Sequence, residues 1–185
     1  MHTALRILNA PDRFAVSSTP PTTAERIALV ALAAGGIAAY GGVAHAAEGG
    51  LAMAGGALRA LAAGGGAWAL SAPALVVLGA LGGSSLPWWR SLLLGMITMA
   101  FGGGVFLSTL PVVLLMEAVT DAWGLRVGIH LGALVGVGMC ATAIFGRTAI
   151  ALEGKLRGLH VAWMGLFSVL FLELAWLVDL YRFTA

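Results

Sequence analysis

Two side chains inside the long apolar runs of this sequence could do chemistry, His130 and Glu173. An imidazole titrates near neutral pH. A carboxylate in hydrocarbon costs a few kcal/mol, so it finds a polar partner or a water-lined cavity. His130 lies four residues beyond Arg126, and Glu173 lies seven before Leu180. At about 1.5 Å per helical residue, the two reach similar depths from the same side of a bilayer. The spacing predicts a hydrogen bond between His130 and Glu173, with Arg126 and Asp179 as a second pair nearer the surface. Such a pair could clamp two helices together or relay protons. His130 is also a candidate ligand for a metal or for the centre of a tetrapyrrole, and His45 is a second candidate for haem or pigment. No second histidine stands at ligand spacing from His130, and neither a His-Glu-x-x-His run nor paired cysteines occur. His45, Glu48, Glu117 and Asp121 fall at the same end of the helices and could extend the polar group.

The residues around His130 add a second pattern. Gly128, Gly132 and Gly136 stand four apart, and Cys140 continues the stripe. Small residues on one face let two helix backbones approach closely. The stripe predicts packing on another span of the same chain or on another subunit, with Cys140 as a small packing residue. His130 falls about 200° around the helix from Gly128, so one face is polar and the other smooth. Gly102-Gly103-Gly104 form a third feature. Three glycines in mid-span predict a kink, local unwinding, or a flat notch for a lipid tail, a pigment or another helix.

These residues need helices to hold them. Hydrophobic residues make up 60% of the 185-residue chain and charged residues only 10%, and the mean hydropathy is +0.97. A water-exposed domain carries about a quarter charged residues. Windows of about 20 apolar residues recur, the length of a transmembrane helix, without the alternation of barrel strands. The fold class is therefore all-α, a polytopic membrane bundle in one domain after an N-terminal segment. The net charge of +2 is scattered, which excludes a nucleic-acid surface. Cys140 is the single cysteine, so no internal disulfide forms.

Residues 1–26 read as a cytoplasmic or interfacial segment, with Leu5 and Leu8 toward lipid and Arg6 and Arg13 toward water. Thr22 and Glu25 form a capping box after Pro20 and Pro21. The first span runs from Ile27 to about Ala46, too long for the core of a cleaved signal peptide. Residues 49–63 read as a short interfacial or re-entrant helix, closed by Gly64-Gly65-Gly66. Four spans follow, at about 67–81, 91–116, 126–145 and 158–180, separated by the Gly82–Pro87 turn and two polar loops. Seven basic residues (Arg6, Arg13, Arg26, Arg90, Arg147, Lys155, Arg157) then share one side, against Arg59, Arg126 and Arg182 on the other. The positive-inside rule places the N-terminus in the cytoplasm.

Catalytic constellations are missing: the sequence has no Gly-x-Ser-x-Gly elbow and no phosphate-binding loop. Serines and threonines in the spans, such as Thr98, Ser108, Thr109, Thr142 and Ser168, fit helix packing and backbone satisfaction. Pro73-Ala74-Leu75, Leu81-Gly82-Gly83-Ser84-Ser85-Leu86, Arg90-Ser91-Leu92-Leu93 and Pro111 resemble small bacterial multi-pass proteins of a Yip1-like kind, over residues 67–147. The resemblance implies about five spans, a cytoplasmic N-terminus and a membrane organiser with no catalytic site. Together these features point to a non-catalytic accessory subunit of a larger bacterial inner-membrane assembly, respiratory or photosynthetic. Its expected partners are other membrane subunits and the lipid bilayer. The alternatives are a proton-coupled or small-solute transporter using His130 and Glu173, and a pigment- or haem-binding subunit.

Overall fold

The computed structural model describes residues 7–17, 20–120 and 123–180, and among these residues it contains helices and no strand. A short helix, α1 (Pro11–Val16), precedes five long ones: α2 (Thr23–Val43), α3 (Gly50–Leu81), α4 (Trp88–Val119), α5 (Trp123–Glu153) and α6 (Gly158–Leu177). All five are long and apolar enough to cross a membrane, and the protein is a multi-pass membrane protein. A single 3-10 turn, Ala46–Glu48, joins α2 to α3.

Local chemistry explains the helix starts. Thr22 caps α2 reciprocally: Glu25 N–H donates to Thr22 Oγ1 at 3.3 Å, and Thr22 N–H donates to Glu25 Oε2 at 2.8 Å. Pro87 begins α4 with φ −63°, and the Arg90 guanidinium lies 5.2 Å from the Trp89 ring centroid. Pro73 and Pro111 sit inside α3 and α4. Each removes one backbone donor, yet both helices continue through them. Thr98, Ser108, Thr109, Thr142 and Ser168 all donate to carbonyls of their own helices, as expected for hydroxyls in an apolar helix.

Two expected irregularities are absent. Residues 49–63 do not form a separate interfacial or re-entrant helix; they are the first half of α3, which runs 32 residues without interruption. The Gly102–Gly104 run does not unwind α4, which is also 32 residues long and helical throughout. In both places glycine serves close approach. Gly36 of α2 meets Gly103 of α4, where a Cβ on either would overlap the other helix's backbone. Gly41 of α2 and Gly56 of α3 meet in the same way. Gly102 faces Val137 and Ala141 of α5, and Gly104 faces Leu8.

The helix order in space is α6, α3, α2, α4, α5, with α2 at the centre against both α3 and α4. The row curls, so α3 also touches α4. Chain ends define two faces. The proximal face holds α1, the Gly82–Pro87 connection and the Gly154–Arg157 connection. The distal face holds the Ala46–Glu48 turn, the end of α4 and the end of α6. The segment before α2 is held by the protein itself: Ile7 and Ala15 are buried against Leu29, Leu93, Ile97 and Ile144.

Candidate functional site

Helices α2, α4 and α5 bring three polar side chains together near the distal face. Tyr40 occupies the last turn of α2, Glu117 the last turn of α4, and His130 the second turn of α5. The Tyr40 hydroxyl lies 2.8 Å from His130 Nδ1 and donates to the His130 carbonyl at 3.3 Å. His130 Nε2 lies 3.0 Å from Glu117 Oε1. Arg126 completes the group, with Nε 3.5 Å from Glu117 Oε2 and donating to the Thr120 carbonyl at 3.0 Å.

Burial grades this group from the surface inward. The side chains of Arg126, Glu117 and His130 are 25%, 11% and 2% exposed. Tyr40 is buried under Phe106, whose ring centroid is 4.6 Å away. The group is a clamp on three helices, most exposed at Arg126 on the distal side. Both ring nitrogens of His130 are engaged, Nδ1 by Tyr40 and Nε2 by Glu117. His45 is buried beside it, with Nδ1 3.1 Å from the Gly41 carbonyl and the ring against Gly56.

The expected His130–Glu173 pair is replaced. His130 meets Tyr40 and Glu117 rather than Glu173, and Arg126 meets Glu117. The reason is the course of α5 and α6. They join near the proximal face, where Phe145 stacks on Trp163 at 5.2 Å between centroids and meets His160 edge-on at 5.8 Å. They then separate around an apolar groove of about 450 Å³, with Gly102 and Phe106 of α4 among the residues that line it, between Leu134 of α5 and Phe171 of α6. The α4–α5 hairpin instead brings Glu117 beside His130. Glu117 was legible only as a loop acid that could extend the polar group, whereas it lies in the last turn of α4, and Tyr40 was missed; its only signal is a phenol within a turn of the end of an apolar span.

Glu173 is exposed on α6 and makes no hydrogen bond or ion pair among the described residues. Its depth follows from the packing of α6 on α3. Trp163 Nε1 donates to the Ser71 carbonyl at 2.8 Å, and Leu174 packs on Gly66, the middle of α3. Glu173 therefore stands within about one helical turn of the level of Gly66, the middle of α3, and a carboxylate at membrane depth costs up to ~2.5–3.5 kcal/mol on insertion scales.

The glycine row is also redirected. Gly128, Gly132 and Gly136 lie on the outer surface of α5, with nothing within 4 Å of where a Cβ would stand. They do not pack inside this bundle, and Cys140 is exposed as well. His130 faces inward, so α5 does have one polar and one smooth face. A second polar group closes the proximal face: Ser84 and Arg157 both donate to the Glu153 carboxylate, and Arg157 donates to the Gly82 carbonyl at 2.7 Å. Asp121 lies outside the described residues. No protein-family model matches the chain, and neither a curated protein nor a solved structure matches it.

Proposed function

We propose that the protein is a non-catalytic subunit of a larger bacterial inner-membrane assembly, with its N-terminus in the cytoplasm. A partner helix lies along the outer face of α5. One observation carries this reading. The crossings of α2 on α4 and of α2 on α3 set glycine against backbone, at Gly36–Gly103 and Gly41–Gly56, while Gly128, Gly132 and Gly136 present the same kind of surface to open space. Against lipid tails a row of glycines gains little contact; against a second backbone it permits close approach. The large exposed side chains beside the row, Leu131, Val135 and Met139, supply the flanks of such a contact.

The polar clamp supports a structural role, because Tyr40, Glu117 and His130 tie three helices together. The groove between α5 and α6 takes a hydrocarbon chain of the bilayer. A methylene is close in size to a water molecule, which fills about 30 Å³ in the liquid, so the space holds roughly fifteen.

Affinity purification in mild detergent tests the reading. The wild-type chain brings down a stoichiometric membrane partner, and Gly132→Leu or Gly136→Leu loses it while the variant itself stays folded. A monodisperse chain that purifies alone and supports ion or solute flux in proteoliposomes contradicts it.

A further inference from the structure

Among the described residues Glu173 makes no hydrogen bond or ion pair. It is a carboxylate level with the middle of α3, on a helix face that the described residues leave uncovered. Its neighbours on that face are Val169, 57% exposed, and Trp176, 84% exposed. Intramembrane acids are found paired or facing a polar cavity, and here neither is present among the described residues. The groove does not serve: Trp163, Phe167, Phe171 and Leu172 put one side of α6 on it, and Glu173, about 100° beyond Leu172, falls on the other side with Val169 and Trp176.

We propose that Glu173 is the centre of a second interface, with a transmembrane helix of a different protein that carries a lysine or arginine at the same depth. Charge complementarity selects the partner. A cation opposite Glu173 offsets part of the desolvation cost of both groups, whereas a carboxylate left unpaired there bears that cost in full. A second copy of this chain does not supply it. Among the described residues the basic side chain deepest in a helix, Arg59, lies seven residues from Gly66 along α3, about 10 Å away. Packing through Val169 and Trp176 then seals the ion pair from water and lipid. The proposal rests on the subunit reading and extends it from α5 to α6.

The test is photocrosslinking in intact native membranes, with a benzophenone side chain placed at Val169 or Trp176 of the full chain. The expected adduct is a transmembrane segment of another protein with a lysine or arginine within one helical turn of the crosslinked position. Glu173→Leu lowers its yield at least tenfold, and exchanging the charges (Glu173→Lys with the partner's cation changed to glutamate) restores it. Detergent stability of the isolated Glu173→Leu chain equals or exceeds that of the wild type, which separates lost recognition from lost folding. Adducts with lipid alone, with a second copy, or with a helix lacking a cation overturn the proposal. So does a yield that Glu173→Leu leaves unchanged. A parallel crosslinker at Met139 on α5 separates the two readings. Adducts there without adducts on α6 sink only the Glu173 interface, whereas silence at both sites sinks the subunit reading as well.

Discussion

Gly36 and Gly103 touch backbone to backbone where α2 crosses α4. A Cβ on Gly36 would overlap the Gly103 carbonyl, and a Cβ on Gly103 would overlap the Leu32 carbonyl. The central helix of the bundle is therefore set by the absence of two methyl groups. Gly36→Ala or Gly103→Ala should destabilise the protein by about 1–3 kcal/mol, the usual cost of overpacking. Gly35→Ala should cost nothing, because that position meets open space. Unfolding in mixed micelles compares the three, and equal stabilities would remove the crossing as the reason for these glycines.

The distal clamp makes a separable prediction. Tyr40→Phe and His130→Ala should each destabilise, and their double-mutant cycle should show coupling of about 0.5–2 kcal/mol. Polar contacts between membrane helices average about 0.6 kcal/mol, so the upper part of that range would mark a cooperative group. Additive effects would show that Tyr40 and His130 act independently.

At the proximal face, Arg157→Ala leaves the Glu153 carboxylate with Ser84 alone and frees the Gly82 carbonyl. The cost should be about 1–3 kcal/mol, that of buried polar groups left unmade. Lysine at 157 should recover only part of it, because one ammonium replaces a planar fork. Hydrogen exchange at the Gly82–Pro87 connection should rise in parallel, and a connection that stays protected would place the restraint elsewhere.

The spans were legible because hydropathy needs only a window of sequence, and the capping box at Thr22 because its geometry is local. The first half of α3 was not. Gly56 and Ala60 look too weakly apolar for a span, but they pack against Gly41, where small size matters more than hydrophobicity. The partners of His130 were misread for a different reason. Counting residues gives depth along a helix and says nothing of which helix stands opposite. By residue count Glu173 looked level with His130; the packing of α6, which sets Glu173 against the middle of α3 and apart from α5, decides for Glu117, and that packing is a property of the whole bundle. The same gap hid the outward turn of Gly128, Gly132 and Gly136, since a glycine row looks alike whether it faces the core or a partner.

The glycine row should be silent in the isolated protein. Gly132→Leu adds a side chain where nothing lies within 4 Å, so its stability in detergent should match wild type within about 0.5 kcal/mol, as surface changes do. A large loss of stability would mean that the row packs inside the bundle after all.

Photocrosslinking from Met139, which is exposed on α5 beside that row, tests the central claim most directly. In native membranes the wild-type chain should give one discrete adduct with a transmembrane segment of another protein, and Gly132→Leu should abolish it without lowering the amount of chain in the membrane. Adducts with lipid only, or an adduct that Gly132→Leu leaves intact, would contradict the account.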